Sequence, residues 1–233
     1  MFTLGDNAYP SGSASDFAKC YEPTWGRHKA RTKPAPGNHE YNSSGGAPYF
    51  AYFGAVAGDP GRGYYSYNVG AWHIVSLNSS CSSIGGCGPG SPQMQWLLAD
   101  LAASPAKCTM GIWHEPIFSS GSHGSSSTMQ AIWQALYNAG ADVVLAGHDH
   151  IYERFAPQDS AGKADPNRGI RQIVVGTGGA TLTPLGPRLA NSQVSNNDTW
   201  GVLKLTLRAD AYDWQFVPEA GKTFADSGSG ACH

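Results

Sequence analysis

Residues 142–150 read Asp142-Val143-Val144-Leu145-Ala146-Gly147-His148-Asp149-His150, and this stretch decides the fold. Four apolar residues in a row, two of them β-branched, describe a strand buried on both faces. Such strands sit in sheets covered by helices, which points to an α/β chain. The strand stops at Gly147, and His148 and His150 follow at i and i+2. On an extended segment these two side chains point the same way. The carboxyl end of a buried strand is also where ligands gather in α/β sheets. Paired imidazoles there suit zinc, iron, manganese or nickel; two surface histidines in a turn are the bland alternative.

Working outward, Met129, Ile132, Trp133 and Leu136 fall on one face of a helix over residues 128–138, with Gly140 as its stop. Cys108 to Trp113 forms a short apolar strand that ends at His114. Ser91-Pro92 opens a further helix, capped by serine with proline at its first position, and Met94, Leu97, Leu98 and Leu101 carry it to about Ala103. The aromatic and β-branched stretches 63–68 and 71–78, separated around Val69-Gly70, make a β-hairpin. Phe17, Cys20 and Tyr21 mark a short helix over 16–21, and Met1 to Leu4 reads as the end of an apolar strand. Downstream, residues 170–175 form another strand. Leu203, Leu205 and Leu207, then Tyr212, Trp214 and Phe216, alternate with polar residues as half-buried antiparallel strands. The Ser/Gly-rich runs 119–127 and 227–230 read as loops. Strand–helix alternation flanked by hairpins predicts a mixed sheet or two stacked sheets with helices on the faces.

Composition narrows the function. The chain of 233 residues has 41% hydrophobic and 14% charged residues, which excludes a disordered chain. A formal charge of -2 leaves no basic footprint for a nucleic-acid backbone. No apolar run reaches the ~20 residues of a membrane-spanning helix. Five cysteines include Cys81 and Cys87, which bracket a Gly/Ser-rich loop that a disulfide can close, free thiols being the alternative. If bridges form, the compartment is oxidising.

Three further loops present ligand-type residues after strand-like stretches: Asp6 after Phe2-Thr3-Leu4-Gly5, Asn38 and His39 after Pro36-Gly37, and His114 after the 108–113 strand. A carboxylate can bridge two metal ions, while an amide oxygen and imidazoles fill the remaining positions. Two metals about 3.5–4 Å apart stabilise the attacking and leaving oxygens of an in-line displacement at phosphorus and acidify a water. Glu115 and Asp149 adjoin these residues, either orienting them or as ordinary carboxylates. Tyr152, Glu153 and Arg154 read as site-closing residues or as a surface ion pair. His28, His73 and His233 have no motif around them and read as structural or solvated.

The ordered set Gly5-Asp6-Asn7-Ala8-Tyr9, Gly37-Asn38-His39-Glu40, Trp113-His114-Glu115-Pro116 and Gly147-His148-Asp149-His150 resembles the calcineurin-like metallophosphoesterases. Its first motif is similar to that of the purple acid phosphatase branch, secreted bacterial type. The resemblance implies one domain over residues 1–233. It also implies an α/β fold in which two mixed β-sheets flanked by helices form a four-layer sandwich. It further implies that Asp6 bridges two metals, that Tyr9 and His150 bind the first, Fe(III), and that Asn38, His114 and His148 bind the second, a divalent Zn, Fe or Mn. His39 would lie beside the phosphate as a transition-state stabiliser or proton donor, and His123 matches a further substrate-facing histidine. The implied reaction is hydrolysis of small phosphomonoesters by hydroxide held on the metals, in an extracellular compartment.

One part of the pattern is missing. The resemblance implies another aspartate upstream of Asp6, on a strand this sequence lacks. The expectation is an N-terminally shortened chain, which also accounts for the lack of an export signal and for an odd cysteine. The alternatives are a phosphodiesterase on the same fold, or a catalytically weak metal- or phosphate-binding domain.

Overall fold

The computed structural model describes residues 1–233. Its centre is a seven-stranded sheet in the order β1-β2-β3-β4-β6-β5-β7, and a three-stranded sheet in the order β10-β9-β8 lies beside it. In the large sheet β2 (Trp72–Ser76), β3 (Cys108–Ile112), β4 (Val143–Ala146) and β6 (Arg171–Val175) run parallel. The edges are antiparallel: β1 (Tyr65–Val69) hairpins onto β2, while β5 (Tyr152–Phe155) pairs with β6 and with β7 (Ser192–Asn196). The small sheet, β8 (Gly201–Leu207), β9 (Ala211–Pro218) and β10 (Ser227–Ala231), is antiparallel throughout.

The period-two geometry of strands sorts the core into two layers. Val75 and Val144 point to one face, where they pack with Met94, Leu97, Ile132, Trp133 and Leu136 of α3 (Pro92–Ala103) and α4 (Gln130–Asn138). Their neighbours Ile74, Val143 and Leu145 point to the other face, against Tyr212, Trp214 and Phe216 of the small sheet. A continuously apolar strand such as β4 is what a sheet buried on both sides requires. α3 begins at Pro92, and the Ser91 hydroxyl accepts the Met94 N–H as its cap. A third apolar cluster joins Phe17 and Tyr21 to Tyr49, Phe50 and Phe53 of α2 (Ala47–Phe53). α1 (Ala14–Asp16) winds on into a π-helical turn over Phe17–Tyr21, which leaves Cys20 exposed rather than on the buried face.

Two disulfides form. Cys81–Cys87 closes the Gly/Ser loop, and Cys108–Cys232 joins the start of β3 to the residue after β10, tying the two sheets together. The Ser227–Gly230 run is a strand rather than a loop. Gly228 and Gly230 pair with Trp214 and Tyr212 across β9, and a Cβ at either glycine would collide with those rings. Low side-chain volume there lets two aromatic rings lie on bare backbone.

A buried carboxylate also bridges the sheets. Asp226 accepts hydrogen bonds from Tyr152 Oη (2.6 Å), Arg154 Nε (2.7 Å) and Trp214 Nε1 (3.1 Å). Arg154 is therefore part of the inter-sheet contact, neither a site-closing residue nor a surface ion pair. Burial opposes ionisation of Asp226, but the donors from Arg154 and Tyr152 outweigh it and hold the carboxyl below its ordinary range. With the folded pKa below the unfolded one, this stabilisation is complete above the unfolded value near 4 and is lost as pH falls through the folded one. Asp226→Ala leaves the Arg154 charge unpaired and should cost about 3–5 kcal/mol. Denaturant titration at pH 7 measures this, and the difference from the unchanged protein should shrink as the pH is lowered below 4.

Candidate metal centre

Each ligand-type residue sits where a strand or extended segment ends. Phe2 pairs in parallel with Lys33, and the two segments deliver Asp6 and Asn38 to the same level. β3 runs through Trp113 to His114, β4 runs through Ala146 to His148, and the Gly147 N–H bonds the His114 carbonyl at 2.9 Å. Asp6 (φ 50°) and His148 (φ 63°) both adopt the left-handed backbone conformation, uncommon for residues other than glycine. The turn aims each side chain inward. At Gly37 the Asp6 carboxylate comes so close that a Cβ would collide with it.

The donor atoms converge. His114 Nε2 lies 2.9 Å from Asn38 Oδ1, 3.1 Å from Asp6 Oδ2 and 3.1 Å from His148 Nδ1. His148 Nδ1 is also 3.1 Å from Asn38 Oδ1. The opposite ring nitrogen of His114 donates to the Leu4 carbonyl at 2.7 Å, which fixes the ring and aims Nε2 at Asp6 and Asn38, and, against the effect of burial, the Asp6 carboxylate raises the His114 pKa. Four ligand-type atoms thus face one another at 2.9–3.1 Å, and a cation that displaces the His114 proton is what such a set fits.

A second convergence shares Asp6 Oδ2. Tyr9 Oη is 3.2 Å from that oxygen and 3.1 Å from His150 Nε2, while His150 Nδ1 donates to the Thr181 carbonyl at 2.7 Å. The other Asp6 oxygen, Oδ1, accepts the His39 N–H at 3.0 Å. Asp6 therefore offers one oxygen to both groups of donors and anchors itself with the other. The structure brings together all six residues expected as ligands: Asp6, Tyr9, Asn38, His114, His148 and His150.

The two expected substrate-facing residues lie at the rim. His39 Nδ1 donates to the Pro10 carbonyl (2.5 Å), its ring centroid is 4.5 Å from that of Tyr9, and its Nε2 is 3.9 Å from Asp6 Oδ2. His123 Nδ1 meets the His148 carbonyl at 3.1 Å, and the His123 ring lies 4.8 Å from His148 and 5.8 Å from His150.

Electrostatics match the geometry. Burial opposes the charge on Asp6, but the adjoining His114 and the His39 N–H hold its carboxyl down to about 2. Burial, reinforced by His114 and His123, lowers His148 to about 4 and keeps it a neutral, ligand-ready imidazole. Burial and the Asp6 charge raise Tyr9, so a phenolate there needs a cation beside it. Glu40, fully buried, had given no sign of a role in the sequence. It accepts the N–H groups of Gly37 (2.7 Å), Asn7 (2.8 Å) and Asp6 (3.0 Å), clamping the two loops that carry Asp6 and Asn38. Its burial and its reach to Asp6 and Asn7 are invisible in sequence, where Glu40 only closes the Gly37-Asn38-His39-Glu40 motif. Glu115 bonds Ser126, and His73 is held by Asn68 and Asp100, so neither faces the donors.

A cleft of about 630 Å³ opens beside both donor groups, running from Asp6, Tyr9, His114, His148 and His150 between Phe2, Leu145 and Leu203. Thr3 Oγ1, Asn7 Oδ1 and Tyr21 Oη, on residues that line it, have no hydrogen-bond partner. β8 forms one edge of its sheet there, paired only with β9.

Comparison with known proteins agrees with this arrangement. The sequence profile of the family described as Calcineurin-like phosphoesterase matches residues 1–152. The chain belongs to that family. It is 30% identical over 183 residues to Probable purple acid phosphatase 20 of Arabidopsis thaliana, covering 64% of this chain and 41% of that one. It is 32% identical over 146 residues to Acid phosphatase type 7 of Homo sapiens, covering 52% of this chain and 32% of that one. The chain thus spans less than half the length of these relatives. In structure it resembles purple acid phosphatase PPD1 of yellow lupin, with a TM-score of 0.79 at 18% identity over 98% of this chain and 45% of that one. GAP50, the anchor in the inner membrane complex of Plasmodium, gives 0.74 at 14% identity, covering all of this chain and 78% of that one. These two likenesses show the fold, two sheets with flanking helices. Family membership implies a dinuclear metal centre, often iron with a divalent ion.

If the donors hold a cation, adding Zn²⁺ to the metal-free protein should raise its unfolding free energy by about 2.7 kcal/mol at a hundredfold excess over Kd. Gly37→Ala, which displaces Asp6, should remove most of that gain in a thermal-shift titration. An equal gain in both proteins would show that binding occurs elsewhere.

Proposed function

We propose that residues 1–233 form one domain that hydrolyses small phosphomonoesters at a two-metal centre, in an extracellular compartment. The observation that carries this reading is Asp6 Oδ2, a single oxygen shared by two groups of lone-pair donors, with two histidines at the rim. Tyr9, Asp6 and His150 would hold Fe(III), and Asp6, Asn38, His114 and His148 a divalent Zn, Fe or Mn; a phenolate suits the harder ion and neutral imidazoles the borderline one. Two such ions polarise the phosphoryl oxygens and make a water nucleophilic near neutral pH. The chain's own residues do the rest. Asp6 would hold both ions, and the carbonyls of Leu4 and Thr181 orient the His114 and His150 rings so that Nε2 faces the centre. His39 and His123, with Nδ1 tied to backbone carbonyls, turn Nε2 outward to meet the phosphate and to give a proton to the departing alcohol. Two disulfides suit an oxidising compartment, which supports the extracellular assignment.

The first metal has fewer protein donors than the second. We propose that the cleft between Phe2 and Leu203 seats an extended segment from outside residues 1–233 that carries a carboxylate to that ion. The cleft itself and the free edge of β8 favour this. They also favour a second reading, in which residues 1–233 alone bind metal or phosphate with little turnover.

Metal-loaded protein should hydrolyse p-nitrophenyl phosphate faster than its bis ester. With glycerol phosphate, whose leaving alkoxide needs a proton, His39→Ala should lower kcat by about 10²–10⁴. The ferric protein should show a visible charge-transfer band that Tyr9→Phe abolishes. Faster hydrolysis of the diester would replace the monoesterase by a phosphodiesterase. Two bound metals without turnover on either ester would reject hydrolysis, and one metal without turnover would favour the binding domain.

A further inference from the structure

The loop that carries His123 consists, over residues 119–127, of six serines, two glycines and one histidine. Nothing in that composition specifies a conformation, yet two fully buried carboxylates are committed to it. Asp149 stands between the ligand residues His148 and His150, but its side chain turns away from the donors. It accepts the Ser119 hydroxyl through one oxygen and the His123 N–H, at 2.9 Å, through the other. Glu153, on β5, accepts the Ser120 N–H at 2.7 Å and its hydroxyl at 2.6 Å. Gly121 passes so close to Asp149 that a Cβ there would strike the carboxylate.

We propose that Asp149 is a positioning residue that acts through the backbone of the 119–123 loop to hold His123 over the centre, with Glu153 as the second anchor. This rests on the reading of His123 as a substrate-facing group. Asp149 Oδ1 is 3.6 Å from His123 Nδ1, too far for a hydrogen bond, and that nitrogen already meets the His148 carbonyl. The hydrogen bonds of the carboxylate therefore go to the loop, to the Ser119 hydroxyl and the His123 N–H, and not to the imidazole. Asparagine can replace it: its oxygen accepts the His123 N–H and its amide donates to the Ser119 hydroxyl. Alanine cannot.

The test is a mutant cycle on metal-loaded protein, read with glycerol phosphate, whose leaving group needs a proton, and p-nitrophenyl phosphate, whose leaving group does not. Asp149→Ala should lower kcat on glycerol phosphate about tenfold or more, a part of the ~10²–10⁴ that a positioned proton donor supplies, with bound metal unchanged. Asp149→Asn should stay within about twofold, and Asp149→Ala should add nothing once His123→Ala is present. Gly121→Ala, which pushes the loop from its own side, should copy Asp149→Ala. Asp149→Asn as damaging as Asp149→Ala would overturn the backbone mechanism, and full additivity with His123→Ala would overturn the coupling. Amide hydrogen exchange gives a readout without turnover: protection over residues 119–124 should fall in Asp149→Ala and persist in Asp149→Asn. Unchanged protection in Asp149→Ala overturns the proposal. If the unsubstituted protein binds two metals but lacks activity, the phosphatase reading falls separately, and hydrogen exchange alone decides the positioning role.

Discussion

The constraint on which this molecule turns is that ligand-type atoms from four chain segments are held against one another in one small space. Asp6, Asn38, His114 and His148 place oxygen and nitrogen atoms at 2.9–3.1 Å. Without a positive charge such a set repels itself, so the surrounding fold must hold it there by force of packing. The parallel core does so by bringing strand ends to one level. Buried acceptors behind it, the Leu4 carbonyl and Glu40, take the His114 ring N–H and the backbone N–H groups of Gly37, Asn7 and Asp6.

The same economy recurs one shell out. Glu40, Asp149, Glu153 and Asp226 are carboxylates withdrawn from solvent, and each gathers N–H or O–H donors from segments distant in the chain. Loops rich in glycine and serine have little apolar surface with which to hold themselves. A buried carboxylate substitutes for that missing core, since its oxygens accept several short, charge-assisted hydrogen bonds at once. The 119–127 loop is the clearest instance.

Much of the fold was legible because the signals were periodic. The 3.6-residue spacing of α3, the Ser91-Pro92 start and the unbroken apolar run of β4 each lie within one short window. β5, β7 and α2 lacked such a pattern: Tyr152-Glu153-Arg154-Phe155 holds two charged residues whose partners, Ser120 and Asp226, lie 33 and 72 positions away. β10 was hidden because glycine stands where aromatic rings from β9 cover the backbone, a reason that belongs to β9 and not to its own sequence. In the site, Asp6, His114, His148 and His150 announced themselves as polar residues after strand-like stretches and Asn38 after a turn, whereas Tyr9 was implied only by the resemblance of its motif. What the chain could not announce was direction. Asp149, set between two ligand histidines, turns to the loop instead, at a bend whose left-handed His148 the sequence pattern does not disclose.

The Cys108–Cys232 bridge encloses all but the first 107 residues and the last one in a covalent ring. A single peptide-bond cleavage anywhere between these cysteines, including the exposed turn at residues 159–168, opens the ring without releasing a fragment. Both halves of the cut chain stay joined across the sheets. Damage of that kind leaves the molecular mass of the oxidised protein essentially unchanged and shows itself only after reduction, so the bridge makes the scaffold tolerant of nicking in the loops that surround its centre.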